Sequence, residues 1–205
     1  MNKLTRVQIS AAAVITAALL IGGCATKAGP YTQYDFGPLP NAAANSSGTA
    51  LPAVSLGEVK APAWLDNNMM MFRLAYANDL QLRPYATARW TMPPAQLFSQ
   101  RLKARIGQAG GTVVSVSDGA INIPVLRIEM DDFSQTFDNA SHSVAQLTIR
   151  ASLFNGRSLL AQKTFSRQVA SPTADAAGGA RAFSIANDAL IDDLIGWLAS
   201  LLQKK

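Results

Sequence analysis

The chain is poor in the residues that reactive sites are usually built from. It has one cysteine and one histidine in 205 residues. With a single thiol there is no internal disulfide, so packing must stabilise the fold. The lone histidine, His142, excludes multi-histidine metal centres and makes any Ser/His/acid triad depend on one residue of the polar stretch Asp138 to Ser143. The plainer reading of His142 is an exposed turn residue. No serine sits in a G-x-S-x-G elbow. Gly107, Gly110 and Gly111 lack the Lys-Ser/Thr end of a phosphate loop and follow a helical pattern, so they read as a helix stop. Glu129, Asp131 and Asp132 have the chemistry of a divalent-cation site, but strand alternation puts Glu129 and Asp131 on a solvated face. The sequons at Asn45 and Asn139 are three-residue patterns too short to carry weight by themselves.

What the chain does have is concentrated at its start. Lys3 and Arg6 precede an apolar run from Ile9 to Ile21, followed by Gly22, Gly23 and Cys24. A basic stub, a short apolar core and a small-residue stop make up an export signal, too short to span a bilayer comfortably. Residues 1–23 are therefore read as a cleaved signal peptide. Leu20, Ile21, Gly22, Gly23 and Cys24 resemble the lipobox of bacterial lipoproteins, which implies a diacylglycerol on the Cys24 thiol and a fatty acyl chain such as palmitate on the new amino terminus. Several acyl chains hold a protein stably at a membrane where one holds it marginally. By the same resemblance, Ala25 rather than aspartate after the cysteine implies the outer membrane, with the domain facing the periplasm. Cleavage removes two of the positive charges behind the formal +5. No basic run remains to bind nucleic acid.

The remaining roughly 180 residues suit one domain. Residues 24–30 are small and polar and read as a lipidated tether, leaving 31–205 as the folded part. Residues 41–52 are Ala, Asn, Ser, Gly and Thr without periodicity and read as a flexible loop. Short strands are expected at Tyr31 to Phe36 and around Val54, Leu56 and Val59. Met69 to Tyr76 is expected as a strand buried on at least one face, with Leu80, Leu82 and Tyr85 as its hairpin partner. Thr91 is placed as the cap of a helix opened by Pro93 and Pro94 and carrying Leu97, Phe98, Leu102 and Ile106, ended by Gly110 and Gly111. A short strand over Thr112 to Val116 and a half-buried strand over Ile123 to Phe133 follow. Asn155-Gly156 predicts a two-residue hairpin turn between Val144 to Phe154 and Arg157 to Val169. After a loop near Ser171 to Gly179, Phe183, Ala186, Leu190, Leu194, Trp197 and Leu201 mark a long amphipathic helix. The sum is an α+β domain, a mostly antiparallel sheet covered by two helices.

Pro62, Trp64, Leu65 and Asp66, the Met-rich strand ending in Arg73, then Tyr85, Arg89 and Trp90 with Pro93 and Pro94 opening a helix, resemble the ABC-type transport auxiliary lipoprotein family. That family accompanies MCE-type, paraquat-inducible lipid transport systems. The resemblance implies a non-enzymatic lipoprotein without cofactors, working beside an inner-membrane ABC transporter and a periplasmic MCE protein in moving phospholipids; Cys24 is the one residue it carries over. Homo-oligomerisation stays open. An envelope assembly factor for lipopolysaccharide or outer-membrane proteins is the alternative class, and a periplasmic hydrolase is disfavoured for want of a nucleophile motif.

Overall fold

The computed structural model describes residues 30–40 and 52–203. The signal peptide, Cys24 with its tether, and the loop expected at 41–52 up to residue 51 lie outside the described residues. Eight strands and three helices follow in order: β1 (Thr32–Tyr34), β2 (Val54–Leu56), β3 (Met69–Leu74), α1 (Ala75–Asn78), β4 (Asp79–Trp90), α2 (Pro94–Gln108), β5 (Val113–Ser115), β6 (Val125–Asn139), β7 (His142–Asn155), β8 (Ser158–Ala170) and α3 (Ala176–Leu202).

The strands form one sheet organised around β6. Along one side β6 pairs with β7 over nearly its whole length, and β7 pairs with β8. On its other side, β2 meets the beginning of β6 and carries β5, while β3 meets its end at Phe72 to Leu74 and carries β4 and then β1. The expected mostly antiparallel sheet is corrected here: the sheet is mixed. β3–β4, β6–β7 and β7–β8 are antiparallel, whereas β1–β4, β2–β5, β2–β6 and β3–β6 are parallel. The three antiparallel pairs are joined by short turns, which leave local marks in sequence. Parallel neighbours need long crossover connections, and no local signal records which strand the chain returns to.

Alternation decides which face is covered. Leu126, Ile128 and Met130 of β6 and Ala145, Leu147, Ile149, Ala151 and Leu153 of β7 are buried. Leu97, Phe98, Leu102 and Ile106 of α2 and Phe183, Ala186, Leu190, Leu194 and Leu198 of α3 close over that face. At its centre Phe133 and Phe183 stack with ring centroids 4.0 Å apart, and Trp90 meets both rings edge-on at 5.4 and 5.6 Å. The opposite face is polar: Thr148 and Ser166 share a hydrogen bond of 3.0 Å, and Gln162 donates to Ser152 at 2.8 Å.

Three local expectations shift. Thr91 does not cap α2; its N–H donates to the Tyr34 carbonyl, continuing the β1–β4 pairing, and the helix starts at Pro94 after Pro93. The β7–β8 hairpin exists, but Asn155 pairs with Ser158, so the two central residues are Gly156 and Arg157, with the positive φ of 56° on the glycine. The helix α3 starts inside the expected loop, at Ala176, so Gly178 and Gly179 belong to its first turn.

Asn187 is wholly buried in α3, and neither its Nδ2 nor its Oδ1 has a hydrogen-bond partner among the described residues. An unpaired buried amide costs about 1–3 kcal/mol. Asn187→Leu, which has the same branched shape and number of side-chain heavy atoms, is expected to raise stability by about 1 kcal/mol. A urea titration in which the variant is destabilised instead would show that the amide is satisfied.

Candidate docking and anchoring surfaces

A buried polar junction fixes the sheet to the start of α3. Gln135 of β6 is fully buried; its Oε1 accepts from the Tyr85 hydroxyl at 3.0 Å, and its Nε2 donates to Ser143 Oγ at 2.8 Å and to the Asp175 carbonyl at 3.1 Å. Gly179 makes room for this amide, since a Cβ there would run into the Gln135 side chain. Burial, then the nearby Asp175 carboxylate, push the Tyr85 hydroxyl well above its ordinary range, so it stays a hydrogen-bond donor.

Asp175 caps α3: its carboxylate accepts from the Gly178 N–H at 2.7 Å and from the Thr173 hydroxyl at 2.8 Å. The Gly178 N–H, more than the hydroxyl, holds its carboxyl below the usual range. Asp175→Ala is expected to cost about 1 kcal/mol near neutral pH. Because the folded-state value is depressed, this stabilisation is present above the unfolded carboxyl value of about 3.9 and is lost as pH falls through the folded one. Melting curves of wild type and variant should therefore converge in acid; a gap that persisted would remove the carboxylate from the cap.

The acidic residues of α3 clamp its neighbours. Arg101 of α2 donates from Nε and Nη2 to the two carboxylate oxygens of Asp188, both at 2.7 Å, and from Nη1 to the Gly37 carbonyl at 2.9 Å. Arg105 pairs with Asp192, and Arg167 of β8 with Asp193.

Trp64 and Pro62 line a cleft of about 410 Å3 with Lys60, Ala61, Glu129, Met130 and Asp131. Glu129 and Asp131 are on the solvated face, as alternation predicts, and Arg150 of β7 pairs with both, at 2.8 and 3.4 Å. Asp132 lies across a bulge in the β6–β7 register, and burial, its largest influence, raises its carboxyl. Among the described residues no group of three metal-ligating side chains converges. Trp90 is a core residue and Trp64 is half-buried. Of Met69 to Phe72 only Met70 is fully buried, while Met69 is exposed.

His142 opens β7 on the surface, where its Nδ1–H donates to the Asp138 carboxylate at 2.8 Å. That bond is the first cause holding the Asp138 carboxyl below its usual range. No described serine or threonine hydroxyl is hydrogen-bonded to the His142 ring.

The strand directions give the molecule two distinct ends. The β3–β4 turn, the β6–β7 turn at Ala140 and Ser141, and the link from β8 into α3 lie at one end. β1 runs parallel to β4, with Thr32 opposite Ala88, so the chain comes into the domain from that same end. The β7–β8 turn and the stretch 116–124 before β6 lie at the opposite end. The β3–β4 tip carries two exposed apolar side chains, Tyr76 at 53 % and Leu80 at 86 % exposure. Sequence pattern placed these residues in a hairpin but gave no sign that they stand clear of the core. Among the described residues no helix is long and apolar enough to cross a membrane.

The arrangement is a mixed sheet with two helices packed on one of its faces. Residues 34–194 match the family described as the ABC-type transport auxiliary lipoprotein component, and the chain belongs to that family. Solved structures share the fold. A Xanthomonas campestris protein, XCC0632, is 19% identical with a TM-score of 0.73 over 84% of this chain and 97% of its own. An uncharacterized protein is 13% identical with a TM-score of 0.57 over 85% and 98%. The hypothetical protein CT253 of Chlamydia trachomatis is 8% identical with a TM-score of 0.51 over 75% and 99%. No curated protein matches the sequence.

Proposed function

We propose that this lipoprotein is the outer-membrane-anchored, periplasm-facing accessory component of an MCE/ABC-type system that moves phospholipids between the two membranes. Membership of the ABC-type transport auxiliary family is the observation that carries the reading. The Leu20-to-Cys24 lipobox supports the anchor, with acylation of Cys24 after removal of residues 1–23. The role is positional and non-enzymatic: the anchor holds the domain at the membrane, and the domain docks on the periplasmic MCE protein and through it on the ABC transporter.

The test is affinity capture of the tagged chain from detergent-solubilised membranes, with identification of co-purifying proteins. The MCE protein should be recovered with wild type and largely lost with Cys24→Ser. Recovery of barrel-assembly or lipopolysaccharide-export proteins instead, with no MCE partner, would overturn the proposal in favour of an envelope assembly role.

A further inference from the structure

We infer that the β3–β4 tip is a membrane-contact element, with Tyr76 and Leu80 entering the headgroup region of the bilayer in which Cys24 is anchored. This rests on the acylated Cys24 of the proposed function. Strands β3 and β4 pair as far as Arg73 and Leu82, and the chain turns through α1 with every residue from Ala75 to Gln81 exposed. At that apex an aromatic ring and a leucine face solvent, although folding normally hides such residues when a core is within reach. Tyrosine and leucine are side chains that favour the interfacial layer of a membrane.

The direction of the chain identifies what covers them. Thr32 pairs with Ala88, and β1 and β4 both run away from the tip, so β1 begins on the tip's side of the domain. From Ala88 to Leu80 the strand rise is at most about 26 Å, and less because β4 bulges between Pro84 and Arg89. From Thr32 back to Cys24 the chain can span at most about 28 Å. An anchor on Cys24 thus holds the domain within the distance at which the tip meets the same membrane plane, and the short tether keeps its local concentration there high.

The polar groups around the tip suit a phosphate-bearing surface. Arg73 donates to the Asp79 carbonyl at 3.2 Å and Arg83 donates to Gln81 Oε1, which folds both guanidinium groups toward the apex. Neither is in a salt bridge with a described carboxylate, so each keeps further N–H donors for lipid phosphates. The opposing charges are the Asp79 carboxylate in the turn and the Asp132 carboxylate, which feels the Arg73 charge, so the apolar pair supplies the insertion and the arginines the headgroup contact.

Acylation consumes the only native thiol, so Leu80→Cys in the full acylated chain gives one reactive site for an environment-sensitive fluorophore. Ile121→Cys, 80 % exposed at the opposite end, is the control. Both positions are solvent-facing, so neither substitution disturbs packing. The labelled proteins are reconstituted in phosphatidylethanolamine/phosphatidylglycerol vesicles carrying a quencher on the lipid. We expect blue-shifted emission and strong quenching at position 80, none at 121, and a loss of quenching at 80 when Tyr76→Ser or Arg73→Gln/Arg83→Gln is added. Equal quenching at the two positions, none at either, or shielding at 80 without lipid quenching, as a protein partner would give, overturns the inference. Intact mass separates the two readings: an unacylated Cys24 fails the anchor, whereas an acylated chain with an unquenched tip fails only the membrane contact.

Discussion

Arg101→Met is expected to lower stability by about 3 kcal/mol, among the largest effects of any single substitution in the domain. The Arg101 side chain is 6% exposed and that of Asp188 17%, so the pair is largely withdrawn from water. Methionine keeps the apolar stem but leaves the Asp188 carboxylate without its two donors and the Gly37 carbonyl without its own. Removing both charges is a different matter, because a buried ion pair gains little over well-packed apolar groups. Arg101→Met/Asp188→Leu should therefore recover most of what the single change loses. Urea titrations of the two single variants and the double variant close the cycle. A single-variant cost below about 1 kcal/mol would mean that water reaches the carboxylate and that the pair is an ordinary surface contact.

Gly179→Ala is expected to be nearly as damaging, by about 3 kcal/mol, although alanine is the better helix former. The added methyl would displace the Gln135 amide, which is buried and tied to Tyr85, Ser143 and Asp175, and would strand these partners. The same helix supplies the control: a Cβ at Gly196 meets nothing within 4 Å, so Gly196→Ala should be neutral or stabilise by up to about 1 kcal/mol. Thermal melts that placed the two substitutions together would show that the junction around Gln135 yields easily.

The same contrast explains how much of the molecule was legible in the sequence. Features written in adjacent residues were readable: the alternation along Leu126, Ile128 and Met130, the apolar stripe from Phe183 to Leu194, and the β3–β4 pair. The hairpin glycine was found but placed one position late in its turn, because Asn-Gly suggests the turn chemistry without fixing the register. The parallel pairs were not readable. Val54 to Leu56 meets both Val113 to Ser115 and the start of β6, and no local pattern of those few residues selects these neighbours. Gly178 and Gly179 resembled loop because glycine is a poor helix residue; close approach to Thr173 and Gln135 requires them there.

The surfaces divide in the same way. The proposed lipidation of Cys24 rests on a linear pattern, Leu20 to Cys24, which lies outside the described residues. The Tyr76 and Leu80 tip has ordinary strand composition, and only the sheet shows that these side chains extend past the core. Asp188, Asp192 and Asp193 lie largely off the apolar stripe of α3, and each meets an arginine from another element, which a single helical pattern cannot show.

The claim that this lipoprotein serves phospholipid transport is tested most directly by lipid transfer. The captured complex, bridging donor and acceptor vesicles, is assayed for movement of a labelled phospholipid with this protein present, omitted and added back. The account predicts that the rate falls on omission and returns on addition of the acylated chain, and that Cys24→Ser fails to restore it. A transfer rate indifferent to the protein would contradict the account.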